Sequence, residues 1–401
     1  MDEWKAIRLG DATTKIGSGA TPRGGSNAYV SEGISLIRSQ NVWDFQLSID
    51  GLAHITADQG NELSNVVVQE GDVLLNITGD SVARSCRAPK HVLPARVNQH
   101  VAIIRADGKQ LINEFLFYQL IYQKPELLSI AEMGATRKAI TKAAIEEFEI
   151  SAPALPEQRA IASVLSSLDA KIDLLHRQNK TLEAMAEALF RQWFVEEAEE
   201  EAAEGTLAAV AVNIRDGVPV NAFNANDRYV ALEHIDRRCI ALQQFGSSAD
   251  VASNKYRFGV NDILFGKLRP YFHKVCLTSF AGICSTDILV IRPKRPELLY
   301  YCLFAFFQDE VVEYANAGSG GTRMPRTSWS DLSKCPIALP GKEKLEAFNK
   351  VVKPMMDKLQ ANIPQIRSLT ALRDTLLPKL MSGEVRVEVT PTEALPNTIG
   401  P

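Results

Sequence analysis

The chain has 401 residues, of which 46% are apolar, with 44 basic and 48 acidic side chains. This length suffices for two or three domains with cores of their own, and the mixed composition excludes a disordered chain. The formal net charge of −4 excludes a uniformly basic, histone-like protein but leaves room for local basic faces.

The sequence carries no signal for a membrane or for an oxidising compartment. It lacks a run of 18 apolar residues, and residues 1–10 are too charged for a signal peptide. The six cysteines are scattered and form no CxxC pair. We therefore expect a cytoplasmic protein with reduced thiols and no membrane association.

The first predicted domain spans residues 1–155, which are rich in glycine, asparagine, serine and aromatic residues. Short apolar runs, such as residues 66–68, 73–75 and 101–104, are typical of β-strands.

Residues 156–204 follow as a predicted spacer helix and acidic linker. A seven-residue repeat gives one apolar stripe, which is the pattern of a coiled coil. Its two rows are Ile161, Leu168, Leu175, Leu182 and Leu189, and Leu165, Ile172, Asn179, Ala186 and Trp193. The acidic run at residues 196–201 indicates a solvated helix end.

Residues 205–340 form the second predicted strand-rich domain, and residues 341–382 the second predicted helix. The rows of this helix are Leu345, Val352, Leu359 and Ile366, and Phe348, Met355, Asn362, Leu369 and Leu376. Pro354, Pro364 and Pro378 interrupt the pattern and predict a broken or bent helix. We expect residues 383–401 to be a flexible tail.

Asn179 and Asn362 each interrupt an apolar row near the middle of a helix. In an antiparallel pair the midpoints meet, so the two side chains either face each other and fix the register or lie at a solvated edge of the stripe.

Four ordered sequence matches indicate that the chain is duplicated. Residues 71–75 match 261–265, residues 102–105 match 289–292, residues 134–137 match 320–323, and residues 154–156 match 338–340. We therefore predict an α/β (α+β) fold with a pseudo-two-fold internal repeat. Two similar domains would be separated by two long antiparallel helices.

Several motifs carry a family resemblance. They are Trp4, Lys5, Arg8, Leu9, Gly10 and Asp11, residues 17–22 (Gly-Ser-Gly-Ala-Thr-Pro), 70–74 (Glu-Gly-Asp-Val-Leu), 134–137 (Gly-Ala-Thr-Arg) and 155–161 (Leu-Pro-Glu-Gln-Arg-Ala-Ile). Together with the heptad helix, they make the chain resemble the specificity subunit of type I restriction–modification enzymes. The second half departs from the pattern, because Gly341-Lys342-Glu343-Lys344 replaces Glu-Gln-Arg-Ala and no second Gly-Ser-Gly-Ala-Thr-Pro motif follows Gly205.

The resemblance implies two target-recognition domains, at 1–155 and 205–340, each reading one half of a split sequence in double-stranded DNA. It also implies that the helices dock two methylation (M) subunits and that restriction (R) subunits join the complex for cleavage. The chain would be a non-catalytic recognition subunit without cofactors.

The motifs of catalysis and metal binding are missing from the sequence. No Pro-Pro dipeptide is present for a methyltransferase motif, and Gly259…Gly266-Lys267 lacks the spacing of a phosphate loop. The six histidines form no HExxH or i,i+4 pair, so we predict no metal site.

Basic and amide side chains in stretches without acidic residues are the candidates for DNA contact, because such stretches approach a polyanion without repulsion. Our candidates are Arg38, Gln40, Asn41, Arg84, Arg87, Arg96, Asn98, Thr136, Arg137, Lys138, Lys267, Arg269, Tyr271, Lys274, Thr322, Arg323 and Arg326. Alternatively, these are ordinary solvated surface residues, and Arg38, Gln40 and Asn41 only end a strand.

The helix-pair interface should contain the stripe residues near the middle of each helix. They are Leu165, Leu168, Ile172, Leu175, Asn179 and Leu182, and Leu345, Val352, Met355, Leu359, Asn362 and Ile366. Phe190, Trp193 and Phe194 either contact partner subunits or pack within the chain.

The hypothesis that follows is a DNA sequence-recognition subunit. Two other classes remain open at this point: a duplicated protein-binding scaffold in which the basic loops are incidental, and a two-domain enzyme that acts on nucleic acid.

Overall fold

The computed structural model describes residues 4–132, 138–197, 203–224, 226–318 and 324–387. In these residues we find no helix with both the length and the apolar character needed to cross a membrane. Its contacts divide the chain into two compact units: Met1–Lys171 with Thr370–Pro401, and Ile172–Leu369.

The first unit contains what we call the first copy. Its elements are β1 (Lys5–Arg8), β2 (Thr13–Ser18), β3 (Ile34–Ile37), β4 (Val42–Trp43), β5 (Gln46–Leu47), β6 (Ala53–Ile55), α1 (Ala57–Glu62), β7 (Val73–Asn76), β8 (Ser85–Arg87), β9 (Ala95–Val97), β10 (Val101–Ala106), α2 (Asn113–Tyr122), α3 (Lys124–Glu132), α4 (Lys142–Glu147) and β11 (Glu149–Ala152). The long helix α5 (Leu155–Arg191) begins directly afterwards.

The second unit contains the second copy. Its elements are β12 (Glu204–Thr206), α6 (Leu207–Val210), β13 (Ala211–Ile214), β14 (Gly217–Val218), β15 (Arg228–Val230), β16 (Gly246–Ser247), β17 (Lys255–Phe258), β18 (Ile263–Gly266), β19 (Val275–Leu277), β20 (Gly282–Cys284), β21 (Ile288–Pro293), α7 (Leu299–Phe307), α8 (Asp309–Ala317), α9 (Trp329–Leu332) and β22 (Pro336–Ala338). The long helix α10 (Lys342–Met381) follows.

The central sheets of the two copies have the same order and register. The first copy orders its strands β2-β10-β7-β8, and the second orders them β13-β21-β18-β19. Leu74 pairs with Ile103 on one side and Cys86 on the other. Leu264 correspondingly pairs with Val290 and Cys276. Because a slip of one residue would turn every side chain to the other face, this identity confirms the predicted duplication.

A buried ion pair recurs at the same place in each copy. Asp72 accepts two 2.7 Å hydrogen bonds from Arg105, and Asp262 accepts two from Arg292 at the same distances. Both aspartates also accept a backbone N–H three residues upstream. The residue before each aspartate, Gly71 or Asn261, has φ of 80° or 65°. Glycine and asparagine are the residues that adopt this conformation most easily, which explains why Asn261 stands where the first copy has Gly71.

Helices α5 and α10 are antiparallel within the second unit. Asn362 Nδ2 donates to Asn179 Oδ1 at 2.7 Å, and both side chains are buried. Ile172 and Leu175 form one small cluster with Ile366. Of the two alternatives for the asparagines, the structure has the one in which they face each other.

Within the first unit the two helices are also antiparallel. Ile161 and Leu165, near the start of α5, share the main core with Leu377 and Leu380, near the end of α10. Arg373 donates to Asp169 at 3.0 Å in the same region.

The expectation of a break in the second helix was wrong. Helix α10 is continuous from Lys342 to Met381, and its three prolines are exposed. On an exposed helix face, water can bond to the carbonyl groups that prolines leave without a partner. At the described start of the predicted tail, Val385 N–H donates to Lys379 O and Arg386 pairs with Glu157. The flexibility of the tail stays a prediction. Residues 388–401 lie outside the described part.

The aromatic residues at the end of α5 pack within the second unit. Phe190 and Phe194 are buried against Tyr301 and Phe348, with ring centroids 5.0 to 6.1 Å apart. Trp193 is half-buried and lies 6.0 Å from Phe348. Of the two alternatives for these residues, intramolecular packing is confirmed.

Candidate nucleic-acid interface

The first copy carries an open cleft of about 510 Å³ at the ends of β7 and β10. It is lined by Ser39, Gln40, Trp43, Thr78, Gly79, Asp80, Ser81, Arg84 and His100. Two predicted DNA-contact residues, Gln40 and Arg84, therefore lie in one concave surface together with hydroxyl, imidazole and indole groups. Such a mixture of donors, acceptors and aromatic surface suits contacts with base edges.

Arg84 and Trp43 form the centre of this cleft. The Arg84 guanidinium lies 4.1 Å from the centroid of the indole ring, and Trp43 Nε1 donates to Gln40 O at 3.1 Å. This cation–π contact places the guanidinium over the indole ring, while 48% of Trp43 remains exposed. The arrangement presents a positioned cation and an aromatic surface to solvent.

A chain of polar side chains connects the cleft to the glycine-rich motif at residues 17–22. Thr21 Oγ1 donates to Gln99 Oε1 at 2.6 Å, and Gln99 Nε2 lies 3.2 Å from His100 Nε2. Thr78 Oγ1 lies 2.6 Å from His100 Nδ1. The imidazole orientation is thus fixed from both ring nitrogens.

Gly19 in this motif is required by a close backbone approach. A Cβ atom there would lie 1.9 Å from Val97 O, while Gly19 N–H donates to Asn98 O at 3.1 Å. The motif is therefore a tight turn that joins the end of β2 to the chain before β10.

Three predicted contact residues in the first copy hold the loops instead of facing solvent. Asn41 is fully buried, accepts Arg38 N–H at 3.1 Å and donates to Ser48 O. Arg96 is 8% exposed and donates to Gly60 O at 3.0 Å. Asn98 is also buried and accepts His100 N–H. Because their polar atoms are used inside the protein, we remove all three from the base-reading candidates.

The other candidates of the first copy lie at the surface with local partners. Arg38 donates to Gly51 O and lies 5.3 Å from the ring of Tyr29. Arg87 lies 3.7 Å from Glu114. Lys138 pairs with Glu132 at 2.7 Å, and about half of each side chain is exposed. Exposed pairs of this kind exchange readily for phosphate contacts, since they contribute little stability.

In the second copy, basic residues from two loops meet. An isolated β-bridge pairs Leu268 with Arg326. Arg326 donates to Asp287 at 3.0 Å. Burial is the main cause that lowers the pKa of the neighbouring Lys267. Lys274 Nζ donates to Leu232 O at 2.6 Å, and burial lowers its pKa too.

Arg269 and Tyr271 occupy the tip between these residues. Tyr271 is 51% exposed, and its ring lies 4.7 Å from that of Phe272. Arg269 lies 5.8 Å from the same Phe272 ring, whose other neighbour is Arg237 at 3.9 Å. The tip therefore combines cations with an aromatic cluster.

Four candidates, Thr136, Arg137, Thr322 and Arg323, lie outside the described residues. Among the described residues, no group of His, Cys, Asp and Glu is arranged to hold a metal ion.

Sequence reasoning missed Trp43, Thr78 and His100. Trp43 stands two residues after Asn41, Thr78 directly follows a predicted strand, and His100 lies inside an acid-free stretch. These positions were visible in the sequence, but nothing in it brought the three side chains to one cleft.

The first comparison with known proteins concerns the amino-terminal part. Residues 1–184 match the family model of the type I restriction modification DNA specificity domain. The second copy lies beyond this match.

Two curated relatives align with nearly the whole chain. The MjaIX specificity subunit of Methanocaldococcus jannaschii, a type I restriction enzyme subunit, is 26% identical and covers 96% of this chain and 94% of its own. The HindI specificity subunit of Haemophilus influenzae is 23% identical over 96% of this chain and all of its own, 100%.

A solved structure supports the fold independently. The S subunit of a type I restriction–modification system from M. genitalium superposes with a TM-score of 0.59 at 17% identity and covers 94% of this chain and 96% of its own. The match of residues 1–184 to the specificity domain and the end-to-end alignment with two specificity subunits lead to one conclusion: the amino-terminal part carries a type I restriction modification DNA specificity domain, and the whole chain is similar to type I restriction enzyme specificity subunits.

Proposed function

We propose that this chain is the DNA sequence-specificity subunit of a type I restriction–modification complex and that it recognises a bipartite target. The observation that carries the proposal is the duplication. Each copy has its own central sheet, and polar and basic loops lie at the equivalent edge of each sheet. Two similar domains with different surface residues suit a target with two different halves.

Each copy would bind one half-site. Lysine, arginine and backbone amides would set the position on phosphate, and arginine and amide side chains would read base edges in the grooves. Arg137 and Arg323, at matching places in the two copies, remain proposed contacts. The subunit would leave methyl transfer and cleavage to its partners.

We further propose that two M subunits dock on the long helices and that R subunits join for cleavage. The exposed faces of α5 and α10 carry Leu174, Met185 and Leu372, which are 46% to 49% exposed. These side chains offer apolar contact points to a protein partner, and the proposal itself rests on the likeness to specificity subunits.

The direct test is to co-express the chain with the M subunit encoded beside it and to map methylated adenines across the host genome. We expect one motif with two specified halves and an unspecified gap of constant length. A complex that methylates one undivided motif would contradict the bipartite proposal.

The lengths of α5 and α10 should set that gap. Inserting one helical turn into both helices adds about 5.4 Å, or roughly one and a half base pairs of rise. We expect a changed gap or failed assembly. A stable, assembled variant with an unchanged gap would remove the spacer role.

The competing function is a duplicated protein-binding scaffold. It predicts that the assembled complex binds random duplex as tightly as duplex containing the mapped motif, measured at equal salt.

A further inference from the structure

The loop that follows β7 in the first copy corresponds to the loop that follows β18 in the second. Its backbone has the same structure in both copies. In the first copy Gly79 N–H donates to Lys138 O at 3.1 Å, and in the second Arg269 N–H donates to Pro325 O at 2.8 Å. The loops also close alike, because Asn76 N–H donates to Arg84 O and Gly266 N–H donates to Lys274 O. We call residues 79–84 and 269–274 the equivalent loops.

The left-handed residues of the equivalent loops coincide as well. Gly79 and Ala83 have φ of 77° and 65°, and Arg269 and His273 have φ of 52° and 50°. The backbone path is therefore set by the shared framework and not by the side chains of either loop.

The side chains, in contrast, differ at nearly every position. The first loop reads Gly-Asp-Ser-Val-Ala-Arg and lines the open cleft, whereas the second reads Arg-Pro-Tyr-Phe-His-Lys. A fixed backbone with exchanged side chains is the arrangement expected of a part that selects a ligand.

Arg269 has a backbone conformation that an arginine rarely adopts. A non-glycine residue at φ of 52° carries a conformational cost, and the first copy avoids it with Gly79. The Nε atom of Arg269 is buried without a hydrogen-bond partner in the part of the chain that the structure describes. The buried Nε is out of reach of a ligand, but the terminal guanidinium nitrogens of Arg269 also form no hydrogen bond within the described residues. An arginine held in an unfavourable conformation with these nitrogens unused is suited to a ligand that accepts hydrogen bonds from them.

Resting on the proposed function, we infer that the equivalent loops determine specificity and that Arg269, beside the exposed Tyr271, reads a base in the half-site of the second copy. Its planar guanidinium matches the O6 and N7 acceptors of guanine, and the ring of Tyr271 offers apolar contact to a neighbouring base. The corresponding position of the first copy, Gly79, lacks a side chain, so the first half-site lacks this contact.

The test uses Arg269→Gly, which installs the residue of the first copy. If the Arg269 side chain contacts neither DNA nor the rest of the domain, Arg269→Gly should leave selectivity unchanged and stability equal or higher, because glycine relieves the unfavourable φ. We expect the assembled complex to lose about ten- to hundredfold discrimination at one guanine of the second half-site, while the first half-site stays as it was.

Two further variants sharpen the result. Arg269→Lys keeps the positive charge but loses the planar pair of donors of the guanidinium. We therefore expect binding to random duplex to persist, while discrimination at the guanine of the second half-site falls. Arg295→Ala is the matched control, because Arg295 belongs to the same copy, lies outside the equivalent loop and has a side chain that is 64% exposed. It should leave the motif intact.

The outcomes separate this inference from the function on which it rests. If the wild-type complex shows a split motif and Arg269→Gly shows the same motif with equal selectivity, this inference alone is overturned. If Arg269→Gly lowers the thermal midpoint and weakens both halves together, the residue is structural, and the inference also fails. If the wild-type complex has no split motif, the proposed function fails.

Discussion

The two copies have the same framework but carry different loop side chains at the sheet edge that we propose binds DNA. The first has an open cleft around Trp43 and Arg84, whereas the equivalent loop of the second carries Tyr271 and Phe272, whose rings lie 4.7 Å apart. Strand order, strand register and the buried Asp–Arg pair are unchanged. The difference shows which contacts the fold needs and which are free to vary: groups buried in the sheet are shared, and groups at the loop tips are not.

The helices meet the two copies through different chemistry. In the first unit Arg373 of α10 lies 3.5 Å from the ring of Phe45 and pairs with Asp169. In the second unit Glu183 of α5 accepts the N–H of Ile240 at 3.2 Å. The charged group on the helix is thus a cation in the first unit and a carboxyl group in the second.

The strongest test of the shared framework is removal of the buried aspartates. Asp72→Ala leaves Arg105, whose side chain is 21% exposed, without its partner and should lower the free energy of unfolding by about 3–5 kcal/mol. Asp262→Ala should cost less, about 2 kcal/mol, because Arg292 is 47% exposed and water replaces part of the lost contact. Urea denaturation measures both. Equal losses below 1 kcal/mol would show that the pair does not support the sheets.

The contact between α5 and the second copy should make the stability of the protein depend on pH, through the carboxyl group of Glu183. Burial raises the pKa of Glu183 to about 8, so the folded state binds a proton more tightly than the unfolded state does. This contribution to stability is complete below the unfolded pKa of about 4.3 and is lost as pH rises through about 8.

Glu183→Gln removes that loss while keeping an acceptor for Ile240 N–H. We expect the variant to be more stable than the wild type by roughly 2–4 kcal/mol at pH 8, with little difference near pH 5. Urea midpoints between pH 5 and pH 8 give the comparison. A residual slope should remain, because burial also raises the pKa of Glu187. A constant difference at all pH values would contradict a buried neutral carboxyl group.

A smaller effect is expected at the asparagine pair. Asn179→Ala leaves the buried amide of Asn362 without its main partner and should cost about 1–3 kcal/mol. The double variant Asn179→Leu with Asn362→Leu should recover the stability but weaken the preference for one register. Thermal unfolding of the single and double variants, together with the gap length of the methylated motif, checks this. Full stability and an unchanged gap in every variant would show that the pair has no role in register.

The smallest effect concerns the turn before each aspartate. Gly71→Ala should cost about 1 kcal/mol, whereas Gly71→Asn should cost less, because asparagine tolerates φ near 80° better than alanine does. No atom lies within 4 Å of a Cβ built on Gly71, so the cost is conformational and not steric. Thermal midpoints rank the variants, and an equal loss for both would contradict the explanation that we give for Asn261.

Much of the architecture was predictable, because the spacing of apolar residues and the repeated sequence matches indicate it directly. The stripe of α5 follows from its heptads, and Leu165, Leu175 and Val352 are buried as their spacing predicts. The duplication was visible because Asp72 and Asp262 each stand before a run of strand residues. The continuity of α10 was not predictable in the same way, because the cost of a proline depends on whether the group that it frees faces water or a core.

The candidate site was predictable only in part. Arg84 and Gln40 were identified from the acid-free stretch and the end of a strand, but Asn41, in the same short segment, is buried. Arg96 carries the same charge as Arg84, yet it donates to Gly60 O inside the first copy. Composition shows which residues are able to bind DNA, but the backbone path decides which of them face solvent.

The sequence by itself determined the repeated unit and the two helical stripes, because each is written in the residue pattern along the chain. It placed Asn179 and Asn362 on those stripes, but only the structure decided that they face each other. Only the tertiary structure decided that Trp43, Thr78, Arg84 and His100 share a cleft, and that Arg269 takes the place of Gly79. These relations join residues far apart in the chain through strand pairing. The register of those pairs follows from the packing of the whole domain and not from any local pattern.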